Sequence, residues 1–249
     1  MKKIVFISHI TEEKELALVI KHFIEEAFIG IIEVFVSSDE KSVSLGEKWL
    51  NNITDALENC CIELVLCSPI SINKPWINFE AGAGWIRKIP VIPLCHSGIE
   101  PSKLPLLLNL LQAAKLSELS SLKLLLPVLS KAISSTEPKY DFTELISKVN
   151  EFEKQYTFWK ECNRIFNEIN RFNNQIIPAL KTGKTVTIPL TEVDIRVFEN
   201  LIPFLKSNDI LDFRRIGGVS MGPNGTFYNC HLIPLNKLDT TFADISFKI

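Results

Sequence analysis

The sequence predicts an α/β protein: a five-stranded parallel sheet over residues 1–135, followed by a smaller α+β module over residues 141–249 that opens on a long helix. Three features predict it. Short β-branched runs alternate with amphipathic stretches through the first half, the signature of strands buried under crossover helices. A polar, proline-bearing break follows at Ser134 to Lys139 (SSTEPK). Beyond that break the apolar spacing changes to sustained steps of three and four.

Each element has its own residues. Lys3 to Ser8 (KIVFIS) reads as a buried strand. Thr11 is placed to cap a helix, with Glu12 and Glu13 in its first turn and Leu16, Val19, Ile20, Phe23 and Ala27 as the inward stripe. Ile31 to Val36 is a second strand, and Ser37 to Gly46 a polar loop. Trp49, Leu50, Ile53, Leu57 and Cys60 give the next helix its apolar face, and Ile62 to Cys67 a third strand. Asn73 and Pro75 start a helix that extends to about Arg87, before a fourth strand at Val91 to Cys95. Gln112 to Leu116 supplies a short fifth strand, and Leu119 to Ile133 a helix interrupted or kinked by Pro127. Five such strands imply a flavodoxin-like sheet, whose ligands sit at the carboxyl ends of the strands. Ser8, Ser37 and Ser68 all fall at or just past strand ends.

In the second module, Asp141 with Glu144 resembles a capping box. Phe142, Leu145, Val149, Phe152, Tyr156, Trp159 and Phe166 then form a coiled-coil-like seam along a helix from Asp141 to Phe172. The seam serves either self-association or packing on its own domain. A strand at Thr185 to Pro189, a helix at Glu192 to Ser207 and a hairpin around Gly222-Pro223-Asn224-Gly225 follow.

Composition narrows the function classes. Apolar residues are 46% and charged residues 22%, the profile of a globular protein, and 27 basic against 29 acidic residues leave a net charge of −2. That balance argues against wholesale binding to nucleic acid or a membrane surface. Leu104 to Leu129 is too interrupted by polar residues to span a bilayer, and the apolar run after Met1-Lys2-Lys3 is too short for a signal peptide, so a cytoplasmic protein is expected. Six cysteines without a C-x-x-C pair read as free thiols, and four scattered histidines give no metal-ligand spacing, so no metal is expected. Gly183-Lys184-Thr185 ends like a P-loop, but Pro178 stands where its first glycine belongs.

Ordered landmarks in the first ~130 residues resemble a bacterial TIR (Toll/interleukin-1 receptor) domain. They are the strand ending in Ser8; Val34-Phe35-Val36-Ser37 followed by Asp39, Gly46 and Trp49, similar to the second strand, BB loop and following helix; Leu64 to Ser68; Ser71, Trp76 and Glu80 in an S…W-x-x-x-E arrangement followed by Ala81-Gly82; and Val91 to Leu94. Residues 141–249 lie outside the resemblance.

The resemblance implies an NAD⁺-cleaving enzyme in which Glu80 is the catalytic carboxylate. It implies NAD⁺ as substrate rather than any bound cofactor, with nicotinamide and either ADP-ribose or a cyclic isomer as products. Breaking the N-glycosidic bond builds positive charge on the ribose, which a fixed carboxylate stabilises. Nicotinamide leaves neutral, so one carboxylate suffices. Trp76, four residues earlier and on the same helix face, either walls the pocket or packs in the core. Ser8 and His9 occupy the first loop facing the dinucleotide; His9-Ile10 departs from the basic residues some members carry there. Phe35, Ser37 and Asp39 are further substrate-binding candidates by strand-end position, and Lys41 and Lys48 flank the BB loop. The resemblance further implies a bacterial immune effector, as in antiviral defence, activated by self-association through the TIR domain, with the C-terminal helix as a second oligomerisation element. Two other readings stay open: a non-catalytic TIR–TIR scaffold, and an enzyme similar to nucleoside deoxyribosyltransferases, which also cleave N-glycosidic bonds with a glutamate.

Overall fold

The computed structural model describes residues 2–36, 49–222 and 225–246. The chain divides into two compact units, one ending at Tyr156 and the other beginning at Thr157.

The first unit follows the expected alternation. Its elements are β1 (Lys3–Ser8), α1 (Lys14–Ala27), β2 (Ile32–Val36), α2 (Trp49–Asn59), β3 (Cys60–Cys67), α3 (Pro75–Ile86), β4 (Val91–Cys95), β5 (Ala114–Lys115) and α4 (Leu119–Ile133). All strand pairs are parallel and the order is β2-β1-β3-β4-β5. Both faces of the sheet are covered, which is why its central strands β1, β3 and β4 are largely apolar rather than alternating. On one face Val5, Ile7, Ile62, Leu64 and Leu66 join residues of α1 and α4 in a single core. On the other, Phe6, Val65 and Cys67 pack with residues of α2 and α3.

Several local expectations differ in detail. The fifth strand is only two residues long, and α4 runs through Pro127 without a break. Thr11–Glu13 is a 3₁₀ turn ahead of α1, and Glu13, read as a first-turn acid, is fully buried. The BB-loop landmarks Ser37, Asp39, Lys41, Gly46 and Lys48 lie outside the described residues.

Helix α5 (Thr143–Phe172) belongs to both units. The sequence put the boundary at Ser134–Lys139; the compact units divide some twenty residues later, inside this helix. The reason lies in the seam. Phe142, Leu145, Val149, Phe152 and Tyr156 are buried in the core of the first unit, and Cys162, Ile165, Phe166 and Ile169 in that of the second. Of the two roles open to the seam, its residues fill the second: they pack within the chain's own cores. The expected capping box is not formed either: Asp141 Oδ1 accepts from Thr143 N at 3.0 Å and Thr143 Oγ1 at 2.6 Å.

The second unit also holds α6 (Ile176–Leu180), β6 (Val186–Leu190), α7 (Glu192–Ser207), β7 (Leu211–Gly222), β8 (Gly225–Pro234) and α8 (Leu238–Ser246). Its antiparallel sheet has the order β6-β8-β7. Thr191 and Asp194 form a reciprocal capping box on α7. No helix among the described residues is long and apolar enough to cross a membrane. All six cysteines are free.

Candidate functional site at the strand ends

Glu80 owes its position to helical spacing. Pro75 opens α3, and the helix's buried residues are Ile77, Glu80, Ala81 and Gly84. That series is the inward face of the helix, and Glu80 occupies a slot in it. A solvated glutamate is thereby ruled out in this structure: Glu80 is 0% exposed.

Two donors satisfy the buried carboxyl. Ser8, the last residue of β1, donates its hydroxyl to Glu80 Oε2 at 2.5 Å, and Trp76 donates its indole N–H to Oε1 at 2.6 Å. One oxygen is held from the sheet and the other from a turn earlier in the same helix. Burial pushes the Glu80 pKa up to about 7, and the two hydrogen bonds oppose the rise by favouring the charged form. A carboxyl poised near neutrality at the ends of parallel strands marks a candidate active site.

The remaining sequence candidates separate. Trp76 is half-buried, tilts against Phe79 at 5.3 Å, and packs with Phe35 on the cluster around Phe6. Phe35 stacks on Phe6 at 5.5 Å. Trp76 thus packs against the core while holding Glu80, and Phe35 is a partly buried residue packed against the same core. His9 is buried, its Nδ1 lies 3.1 Å from the Ile7 carbonyl, and burial lowers its pKa. A neutral imidazole there offers no positive charge to a phosphate. Ser37 and Asp39 lie outside the described residues. Among those described, no group of three or more His, Cys, Asp or Glu side chains could hold a metal ion.

Sequence reasoning missed a second buried polar cluster, also at the carboxyl ends of the strands. Glu13, Ser68, Ser71, His96 and Tyr156 are all buried. His96 Nε2 lies 3.2 Å from Glu13 Oε1, and the Tyr156 hydroxyl lies 3.5 Å from the same oxygen and 3.0 Å from Ser68 Oγ. Glu13 Oε2 also accepts from Ile10 N at 3.3 Å, and the Ser71 hydroxyl accepts from Ser68 N at 2.8 Å. Glu153 on α5 accepts from Ser97 N at 2.9 Å. The cluster ties the segments after β1, β3 and β4 to α5. The segment after β1 begins next to Ser8 and the segment after β3 leads into α3, so these bonds brace the frame that holds Ser8 and Glu80. The signal was Ser68 and Ser71 in sequence, but their partner Tyr156 is 88 residues from Ser68.

A parallel sheet of order 2-1-3-4-5 covered by helices on both faces defines a flavodoxin-like α/β domain, and a carboxyl is buried at its strand ends. The TIR domain family model matches residues 5–126, and this part of the chain is a TIR domain. Among solved structures, the chain is similar to the TIR domain of the Toll-related receptor TRR-2 from Hydra magnipapillata. The identity is 21% and the TM-score 0.41, over 53% of this chain and 98% of that one. It is also similar to the TIR domains of the activated Roq1 resistosome, which directly recognises the pathogen effector XopQ. There the identity is 13% and the TM-score 0.33, over 62% of this chain and 82% of that one. No curated protein matches by sequence.

Proposed function

We propose that the TIR domain is an NAD⁺ nucleosidase with Glu80 as its essential carboxylate, releasing nicotinamide together with ADP-ribose or a cyclic isomer. The observation that carries the reading is the Ser8–Glu80–Trp76 arrangement, a buried carboxyl with two fixed donors and a pKa near 7. Cleavage of the nicotinamide bond leaves a cationic ribose, and a preorganised anion in a desolvated site lowers the energy of that state most. Glu80 is fully buried, so the reading requires ribose hydroxyls to replace one of its donors as substrate enters. The group that yields is then the Ser8 hydroxyl or the half-buried Trp76 indole. Self-association through the TIR domain supplies the rearrangement in this reading, and an immune effector function follows from the same resemblance.

The second reading, a TIR–TIR scaffold without catalysis, is favoured by one observation: both oxygens of Glu80 already have partners within the fold. NAD⁺ consumption by concentrated purified protein, beside Glu80→Ala, with products resolved by chromatography and mass spectrometry, separates the two. Loss of NAD⁺ in the wild type only supports the enzyme, and the product mass distinguishes hydrolysis from cyclisation. No turnover, even by protein crowded to force assembly, favours the scaffold. Turnover of deoxynucleosides in place of NAD⁺ points to deoxyribosyl transfer.

A further inference from the structure

A second carboxyl is buried beside Glu80. Glu63 lies within β3, in register with Phe6 of β1 and Val91 of β4. Its carboxyl reaches under α3. A Cβ added at Gly84, one turn after Glu80, would collide with Glu63 Oε2, so the absent side chain of Gly84 makes the room that this carboxyl fills. Glu63 is 0% exposed, and neither of its oxygens has a hydrogen-bond partner among the described residues. A buried carboxylate with no donors is costly, and a mid-strand position between apolar neighbours ordinarily takes an apolar residue.

The charged groups that face Glu63 both come from the α3 segment, Glu80 within the helix and Arg87 at its C-terminal end, and the Cys60 thiol at the start of β3 is a further titratable neighbour. Phe6 and Val91, its neighbours in register, are apolar. Arg87 attracts a negative charge there, but its guanidinium is engaged by the Leu57 carbonyl, the Cys60 carbonyl at 3.0 Å and Cys60 Sγ at 3.3 Å. Donors are therefore distributed unequally. Ser8 and Trp76 both point at Glu80, and none points at Glu63.

We propose that Glu63 and Glu80 form a coupled carboxyl pair that shares one negative charge near neutral pH, with the charge held on Glu80 and the proton kept by Glu63. The hydrogen bonds select the charged member, because a carboxylate gains from donors that a neutral acid does not need. Burial first, and then the charge on Glu80, push the Glu63 pKa up to about 8, against about 7 for Glu80. Glu63 is in this sense a positioning residue. It acts through Glu80, and its own ionisation at higher pH places a second negative charge beneath the ribose. The inference deepens the NAD⁺-cleavage reading by naming the group that governs Glu80's ionisation.

The experiment is a pH titration of the intact chain with glutamate side-chain carboxyl carbons ¹³C-labelled, read by NMR in the wild type, Glu63→Gln and Glu80→Gln, with NAD⁺ cleavage followed in parallel. Two carboxyls should titrate well above the ordinary glutamate range in the wild type, with the Glu80 resonance showing a second, upper step. Glu80→Gln should lower the Glu63 midpoint by roughly one pH unit, and Glu63→Gln should remove the upper step from Glu80. A Glu63 midpoint near 4.5, or one that does not respond to Glu80→Gln, overturns the pair. Should Glu63→Gln fail to fold, the Glu80→Gln arm decides alone. The titration needs no turnover, so a coupled pair in a protein that leaves NAD⁺ intact would sink the proposed activity while leaving the pair standing. Where NAD⁺ is cleaved, Glu63→Gln should also erase the upper inflection of the rate–pH profile, which a merely structural glutamate would not alter.

Discussion

The Ser8 hydroxyl donates to Glu80 Oε2 at 2.5 Å, joining the end of the first strand to the middle of α3 across 72 residues of sequence. Strand and helix are thereby fixed to each other at the one carboxyl in α3 that faces the sheet. The bond also couples the ionisation of Glu80 to the integrity of β1.

Glu80→Gln keeps the shape of the side chain and removes its charge. If Glu80 stabilises a developing ribosyl cation, NAD⁺ cleavage should fall by roughly 10²–10³-fold with the fold retained. Circular dichroism beside the activity assay checks both halves, and wild-type rates in Glu80→Gln would remove the carboxylate from the mechanism.

Trp76→Phe keeps an aromatic ring and deletes the indole donor. The hydrogen bond lowers the Glu80 pKa, so its loss should raise that pKa from about 7. The acid limb of kcat/KM for NAD⁺, which needs ionised Glu80, should move to higher pH. Ser8→Ala should act in the same direction. A limb left unmoved in both variants would mean that another group controls it.

Stability should depend on pH in a definite sense. Glu80 and Glu63 are acids whose folded pKa values, about 7 and about 8, lie above the ordinary 4.5. The native state holds these protons more tightly than the unfolded chain. Their stabilisation is complete below about pH 4.5 and is lost as pH rises through 7 and then 8. Urea midpoints should fall between pH 5 and 8.5 in the wild type, and much less in a Glu63→Gln/Glu80→Gln double variant.

Tyr156→Phe retains the ring in the core of the first unit and removes the hydroxyl that meets Ser68 and Glu13. The loss should cost about 1 kcal/mol and lower the Tm of that unit by roughly 2–4 °C. An unchanged Tm would show that only the ring matters there.

A chain ending after Tyr156 should fold, and one ending after Lys139 should not. The shorter chain lacks Phe142, Leu145, Val149, Phe152 and Tyr156, all buried in the first core and each worth about 1.5–3 kcal/mol. Equal stability of the two chains, by thermal melting, would return the boundary to the linker.

The sequence by itself determined the parallel five-stranded sheet, the order of its elements and the stripe that carries Trp76 and Glu80. Those features are local: β-branched runs, helical spacing and a proline at a helix start are legible within a dozen residues. Even the seam of α5 was legible as a seam. Only the tertiary structure decided what that seam touches, because an apolar stripe specifies burial and not the partner that buries it. The same limit applies to charge. Glu13 and Glu63 are indistinguishable in sequence from surface glutamates, and Glu80 stands out only through the family landmarks around it; the burial of all three follows from contacts with Ser8, His96, Gly84 and Tyr156. Ionisation is set by what surrounds a group in space, so the poise of Glu80 and the protonated state inferred for Glu63 exist only once the sheet, α3 and α5 have come together.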